Sequence, residues 1–335
     1  MRAALVTGAA GQVGSQIVEQ LTRAGWSVRG LSRSEGSDRT IAALGGDPVR
    51  GDVLDRASLA AAAKGVDVIF HTAAAITVSG GWESYRRTNL DGTAAIIEAA
   101  EQSGAKLMHL SSVAVYGASG RYGAQKTSED TVPGEIRQHS HYARSKRESE
   151  QMVLDAHRAG RIWATAVRPD VIYGPRDRQF VPRMARAIQL GIMPLLGGGK
   201  STLAVVHSAN VAEGAILAAT NDAAGGRVYN LANDYDVTVR EFFTLAAQGL
   251  GRRIIFVPVP IWMAKTALRG FRVVDRLMLG GKFAVASEGS LSFMSRDNPF
   301  TSDRAKQELG WKPSVRPDVG IPEAFRWWKD KGRAA

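Results

Sequence analysis

Ala3-Ala4-Leu5-Val6-Thr7-Gly8-Ala9-Ala10-Gly11-Gln12-Val13-Gly14 is the stretch whose reading decides the fold. A short apolar run reaches a glycine turn, and the residues from Gly11 to Ala24 then carry helical periodicity. In such a strand–turn–helix unit Gly8 permits the tight turn and Gly11 lets backbone approach a pyrophosphate. Gly14 lets the helix pack closely on the strand. The free N–H groups and dipole of the helix N-terminus then face phosphate oxygens. The backbone of Gly8, Ala10, Gly11, Gln12 and Val13 is therefore expected to line a dinucleotide.

Outward from this unit, strand and helix patterns alternate. Strands are expected at Trp26–Leu31, Pro48–Asp52, Asp67–His71, Lys106–Ser111 and Ile162–Arg168, with helices at Ser58–Lys64, Glu83–Ser103 and Tyr142–Ala159. This predicts an α/β fold, a doubly wound parallel sheet of the Rossmann kind. Beyond Gly174 the alternation breaks down, with helical patterns at Val181–Leu190 and Val211–Thr220 around Gly197-Gly198-Gly199. The expected organisation is a dinucleotide-binding domain over 1–173. Residues 174–335 are mostly a smaller substrate-binding lobe, interwoven with the last strands of the sheet.

The end of the second strand usually separates NAD from NADP. A carboxylate there accepts from the ribose 2′-OH, whereas an arginine pairs with a 2′-phosphate. The chain reads Val28-Arg29-Gly30-Leu31-Ser32-Arg33-Ser34, with no carboxylate, so Arg33 favours NADP(H) over NAD(H). Asp52 and Val53 close the third strand, where an adenine ring lies in such folds. Thr72, Ala73 and Ala74 end the fourth with small side chains that admit the cofactor. His71 reads as a packed strand-end histidine.

Tyr142 and Lys146 stand four residues apart at the start of a helix, on one face. A free phenol titrates near ~10, and bringing it to neutrality takes on the order of 4 kcal/mol. A neighbouring ammonium can supply part of that while holding the nicotinamide ribose. Ser111-Ser112, at the carboxyl end of the fifth strand, lies on the edge where open α/β sheets bind ligands. A serine hydroxyl there can hold a substrate oxygen while the tyrosine exchanges a proton.

Together Thr7 to Gly14, Asp52, Ser111-Ser112 to Tyr116-Gly117, Tyr142 to Lys146, Arg168 to Pro175 and the tail Asp303 to Pro313 resemble the extended short-chain dehydrogenase/reductase superfamily, also called the NAD-dependent epimerase/dehydratase family. The resemblance implies that Ser112, four residues before Tyr116, is the catalytic serine. It implies an active-site role for Asn89 and brings backbone from Pro169 to Ile172 to the nicotinamide carboxamide. Within the superfamily the chain is most similar to the 3β-hydroxysteroid dehydrogenase-like and dihydroflavonol reductase-like branch. Leu203-Ala204 stand where sugar-nucleotide epimerases commonly carry Arg-Asp, which favours an apolar substrate.

The 335 residues carry a net charge of +11, with the basic residues spread along the chain and no basic stripe interleaved with aromatics. That favours an anionic cofactor, substrate or membrane surface over specific nucleic-acid binding. The chain has no cysteine, which removes disulfides and thiolate metal sites and fits a reducing compartment; a cytoplasmic protein with no metal site is expected, and no signal peptide, because the apolar run Ala3-Ala4-Leu5-Val6 after Arg2 is too short for one. No apolar run reaches the ~20 residues of a membrane span. Ile261-Trp262-Met263, Ala267-Leu268, Phe271, Val274 and Leu277-Met278-Leu279, interleaved with Lys265, Arg269, Arg272 and Arg276, form a basic amphipathic series. Such a series over 261–282 can rest on an anionic membrane, though packing over a pocket or partner subunit is its commoner use. Trp327 and Trp328 are expected to pack within a C-terminal helix, and a homodimer is the expected assembly.

The expected activity interconverts a secondary alcohol and a ketone on a largely apolar, steroid-, lipid- or ketoacid-like small molecule. The alternatives are a sugar-nucleotide epimerase or dehydratase with retained NAD(H), and a non-catalytic NADP-binding redox sensor.

Overall fold

The computed structural model describes residues 1–76, 81–117, 126–232, 234–264, 266 and 293–332. Its strands are β1 (Ala3–Thr7), β2 (Ser27–Ser32), β3 (Asp47–Arg50), β4 (Val68–His71), β5 (Lys106–Leu110), β6 (Ala164–Pro169), β7 (Val171–Tyr173), β8 (Ile192–Leu196), β9 (Val205–His207), β10 (Val228–Leu231) and β11 (Ile255–Val259). The α-helices are α1 (Gln12–Arg23), α2 (Glu35–Ala43), α3 (Arg56–Ala63), α4 (Gly81–Tyr85), α5 (Gly92–Ser103), α6 (His141–Arg158), α7 (Phe180–Gln189), α8 (Ser208–Thr220), α9 (Val239–Leu250), α10 (Asp303–Glu308) and α11 (Pro317–Trp327).

Seven strands form one sheet in the order β10-β6-β5-β4-β1-β2-β3, every pairing parallel. The order reverses between β1 and β4, which opens a crevice at the carboxyl ends of those strands. Both faces of the sheet are covered, and the two-residue period of each strand assigns its side chains. Ala4, Val6, Val68, Phe70 and Met108 enter one core with Ile17 and Leu21 of α1 and Val211 and Ala215 of α8. Leu5, Ile69, Leu107 and Ala164 enter the other with Leu59 of α3, Ile96 of α5 and Val153 of α6.

Two compact units are present, one of residues Met1–Ile172, Val206–Asp234 and Phe300–Val315, the other of Tyr173–Val205, Tyr235–Pro299 and Arg316–Ala335. The first unit takes back two later segments for identifiable reasons. Strand β10 adds to β6 at the sheet edge. Trp311, 1% exposed, donates through its indole N–H to the Asn210 carbonyl at 3.0 Å, while the Asn210 side chain bonds the Val315 backbone in both directions. In the second unit β8 and β11 pair in parallel, and Phe242 collects ring contacts from Tyr173, Phe180, Phe243 and Phe325. Helix α9 starts from a Thr238/Glu241 capping box, and its Gly249 is pressed against the backbone of Pro322 in α11. Trp327, the last residue of α11, is half-buried, and Trp328, which follows it, is buried, as packing residues are.

Helix α2 is an element the apolar pattern did not announce. It is short and buries only Ile41, and it starts from the Ser34 hydroxyl, which accepts from the Ser37 N–H at 3.3 Å. The long helix expected over Glu83–Ser103 is also broken: a π-helical turn, Arg86–Asp91, separates α4 from α5. Such turns recur at functional sites because they re-aim one side chain, here Asn89.

Candidate active site

The glycine loop behaves as a cradle. Gly8 has φ +68°, and a Cβ on it would stand 2.9 Å from both the Ala73 N and the Thr72 Oγ1. A Cβ on Gly14 would stand 2.2 Å from the Gly8 carbonyl, so only glycine lets α1 descend onto the turn. The Gly11 N–H closes the turn by donating to the Gly8 carbonyl at 2.8 Å. Gly11 caps α1 without a side-chain bond and the first turn holds no acid, leaving its N–H groups to an anion. Thr72 donates to the Thr7 carbonyl at 2.7 Å and the Ala73 N–H to the Thr7 hydroxyl at 3.3 Å, which sets Thr72-Ala73-Ala74 against the loop. Ala10 and Gln12 are half-buried and Val13 buried in the α1 core. The Gln12 side chain donates to the Ile172 carbonyl at 3.2 Å and so ties the segment after β6 to the same loop.

At the far end of the crevice Arg33 is 77% exposed and lies 3.3 Å from the Asp52 carboxylate. The other Asp52 oxygen accepts from the Leu54 N–H, and the buried Val53 packs against Gly92. The two residues expected at opposite parts of an adenosine are thus paired with each other, Asp52 holding Arg33 beside the end of β2.

At the carboxyl end of β5, Ser112 caps the turn Val113–Tyr116 by accepting from the Ala114 N–H at 3.2 Å, and its hydroxyl lies close enough to the Tyr142 phenol to favour the phenolate. One turn along α6, Lys146 is 4% exposed and donates from Nζ to the Leu110 carbonyl at 2.5 Å. Burial lowers the ammonium to about 8, opposed by the Glu150 charge. Burial pushes the Tyr142 phenol above its ordinary value, the Ser112 hydroxyl opposing and nearby Tyr85 adding. In the protein without its cofactor, desolvation of the phenol dominates.

Asn89 is 2% exposed, and its amide is fully engaged: it accepts from the Ala75 N–H at 2.7 Å, and donates to the Ala75 carbonyl and the Ser145 hydroxyl, each at 2.9 Å. Ser145 in turn donates to the Tyr142 carbonyl at 2.9 Å. The structure sets Asn89 behind the site, holding the first turn of α6 that carries Tyr142 and Lys146.

Sequence reasoning left three features out. Glu150 and Arg168 form a buried bidentate pair at 2.6 and 2.9 Å, and Arg168 also donates to the Tyr116 hydroxyl at 2.9 Å. Beside Tyr142, the His141 ring meets Trp82 and Tyr85 at tilted angles, each with centres 6.2 Å apart, and the Arg144 guanidinium lies 3.8 Å from the Trp82 ring centre. Two buried polar oxygens at the carboxyl ends of β5 and β6, Ser111 Oγ and Asp170 Oδ2, lack a hydrogen-bond partner among the described residues. Spacing along the chain carries no sign of any of these, since each joins segments far apart in sequence or depends on enclosure.

Three comparisons with known proteins bear on this arrangement. The profile of the NAD dependent epimerase/dehydratase family matches residues 4–232, which span the glycine loop, Ser112, Tyr142 and Lys146. The chain belongs to that family. It is 31% identical to the 4-hydroxy-2-methyl-3-oxo-4-farnesyl-3,4-dihydroquinoline-1-oxide ketoreductase of Stigmatella aurantiaca, over 98% of this chain and 97% of the relative. It is 29% identical to the decarboxylating sterol-4-alpha-carboxylate 3-dehydrogenase of Mus musculus, over 94% of this chain and 88% of the relative. Among solved structures, UDP-glucose-4-epimerase from Stenotrophomonas maltophila, with bound NAD and formylated UDP-arabinopyranose, shares the fold at TM-score 0.77 and 21% identity, over 100% of both chains. The chain is, with these relatives, a dehydrogenase/reductase of the extended short-chain type.

The family's dinucleotide fits the residues present: a cradle that any Cβ would fill, an uncapped helix terminus and unpartnered oxygens at the sheet edge. Among the described residues no helix is long and apolar enough to cross a membrane, and no cluster of ligating side chains could hold a metal. Ile261, Trp262 and Met263 are described, with Trp262 68% exposed, but the rest of the basic amphipathic series, Lys265 and Ala267 to Leu279, lies outside the described residues.

Proposed function

We propose that this protein is an NADP(H)-dependent ketone reductase, reversible as a secondary-alcohol dehydrogenase, for an apolar substrate bearing a second oxygen near the reacting carbon. The observation that carries the reading is the placement of Ser112 beside the Tyr142 phenol at the carboxyl edge of β5, with Lys146 one turn away. The nicotinamide, when bound in the crevice, exchanges the hydride. Ser112 holds the substrate oxygen, and Tyr142, whose phenol keeps its proton at neutral pH, passes that proton to the oxygen as the carbonyl is reduced. Lys146, buried and still largely protonated near neutrality, opposes the charge left on the phenolate until solvent returns the proton. Asn89, through Ser145, keeps the helix turn in place.

Two further observations support the finer parts. Arg33 at the end of β2, with no carboxylate at that strand end, suits a 2′-phosphate. Leu203 and Ala204 are buried, and neither offers a charge to a nucleotide pyrophosphate. Both relatives carry names with a second oxygen within two carbons of the reacting position, a 4-hydroxyl beside a 3-oxo group and a 4-carboxylate beside carbon 3.

The test is a screen of apolar ketones, β-keto acids and UDP-sugars with NADPH and NADH, read at the nicotinamide absorbance. NADPH consumption with a ketone is the expected result. Micromolar binding of a UDP-sugar with no turnover of any ketone would overturn the reading and install the epimerase alternative.

A further inference from the structure

The scheme above leaves two polar groups of the sheet edge unused, the Ser111 hydroxyl and the carboxyl of Asp170. Asp170 follows Pro169, the last residue of β6. Leu110 of β5 stands beside Val167 of β6, and the Ser111 N–H donates to the Val167 carbonyl at 2.8 Å. Asp170 is thereby set at the same sheet edge as Ser112. Two residues on, the Ile172 carbonyl accepts from Gln12, which ties the other side of this segment to the pyrophosphate loop. Asp170 therefore lies along the edge between the serine that faces substrate and the loop that faces cofactor.

Within the carboxyl, Oδ1 accepts from the Val171 N–H at 2.8 Å. The residue as a whole is half-buried, yet Oδ2 is enclosed and has no hydrogen-bond partner among the described residues. Burial pushes the acid up to about 8, with only the Val171 N–H acting against it. No cation offsets that burial: the nearest basic residue along β6, Arg168, is paired with Glu150 and bonded to Tyr116. A carboxyl in that state is a hydrogen-bond donor, and leaving a buried donor unpaired costs stability that a fold keeps only where something else repays it.

The geometry points to Asp170 as a specificity-determining residue, whose carboxyl donates a hydrogen bond to the second oxygen of a β-keto acid while Ser112 and Tyr142 hold the keto oxygen. The inference rests on the reductase reading and names the substrate class for it. A substrate carboxylate sharing the Asp170 proton forms a short, charge-assisted bond. A plain ketone of the same hydrocarbon size leaves the buried Oδ2 unpaired, and is selected against.

The experiment compares a 2-alkyl-3-keto acid with an alkyl ketone matched in carbon number, on enzyme saturated with NADPH. It reads the ratio of their kcat/KM values together with calorimetric affinity for the keto acid. Asp170→Ala should lower that ratio about 10- to 100-fold, chiefly through KM. Asp170→Asn, which keeps an N–H donor in the same shape, should restore most of it. The wild-type KM for the keto acid should also rise above about pH 8, as the carboxyl loses its proton. That rise should vanish in the Asn variant, while the titrations of Tyr142 and Lys146 on α6 remain. Infrared difference spectra at pH 7 should show a protonated-carboxyl band in the wild type that Asp170→Asn removes, a readout that survives if the Ala variant fails to fold. An unchanged ratio in both variants, or no such band, would overturn the inference. Weakened NADPH binding with an unchanged ratio would also overturn it, and would assign Asp170 to the cofactor carboxamide. Failure of the reductase reading looks different: the wild type then consumes NADPH with neither ketone.

Discussion

Replacing Arg168 by methionine should be among the most damaging single changes in the dinucleotide-binding unit. The Arg168 and Glu150 side chains are 8% and 6% exposed and meet through two bonds at 2.6 and 2.9 Å. The guanidinium, held charged by Glu150 against the desolvation that would lower it, also donates to Tyr116, whose hydroxyl passes on to Asn230 at 2.8 Å. Its removal leaves the Glu150 carboxylate buried without a partner. Two unit charges about 4 Å apart at an effective dielectric near 20 interact by roughly 4 kcal/mol. Loss of one partner of such a pair typically costs about 3–5 kcal/mol. Removing both together is a different matter, because the desolvation of two ions disappears with them. Glu150→Leu combined with Arg168→Met should recover most of the loss. Equilibrium urea unfolding followed by far-ultraviolet circular dichroism measures all three proteins. A single variant that loses less than about 1 kcal/mol, or a double variant as unstable as the single, refutes the reasoning that an uncompensated buried charge sets the cost.

Tyr142→Phe should lower kcat by about 100- to 10,000-fold while NADPH affinity, read by fluorescence titration, stays nearly unchanged; substantial residual turnover would remove the phenol from the mechanism. Arg33→Ala should weaken NADPH by roughly tenfold relative to NADH, a modest figure because the side chain is largely exposed and screened. Equal effects on both cofactors would leave Arg33 without a 2′-phosphate to bind. Acid should destabilise the fold through buried histidines, His71 and His207 among them: burial, with the Lys146 charge adding, lowers His71 to about 3, and burial lowers His207 to about 4. In the unfolded chain both protonate near their ordinary 6.5, so between about pH 6.5 and 4 the unfolded state binds more protons. Stability is then fully present above 6.5 and falls as pH drops through that window. Urea midpoints that do not change from pH 6.5 to 4.5 would contradict this.

The glycine spacing from Gly8 to Gly14 and the alternation up to Pro169 were enough, read along the chain, to place six parallel strands and the nucleotide loop. Each of those signals is local: a positive φ, a close helix–strand approach and a two- or 3.6-residue period are properties of neighbouring residues. Tyr142 and Lys146 were legible for the same reason, one helical turn separating them. Helix α2 escaped because a single buried side chain, Ile41, makes no periodic pattern. What Lys146 does with its ammonium was decided by a carbonyl on β5, thirty-six residues away, and its proton affinity by burial that no spacing records. The same holds for Asn89, read as an active-site group and found with every polar atom turned to Ala75 and Ser145. The sequence by itself determined which residues reach the carboxyl edge of the sheet. Only the tertiary structure decided their charge states and partners, because desolvation and hydrogen bonding depend on which distant segments close over a group, and that is a property of the packed whole.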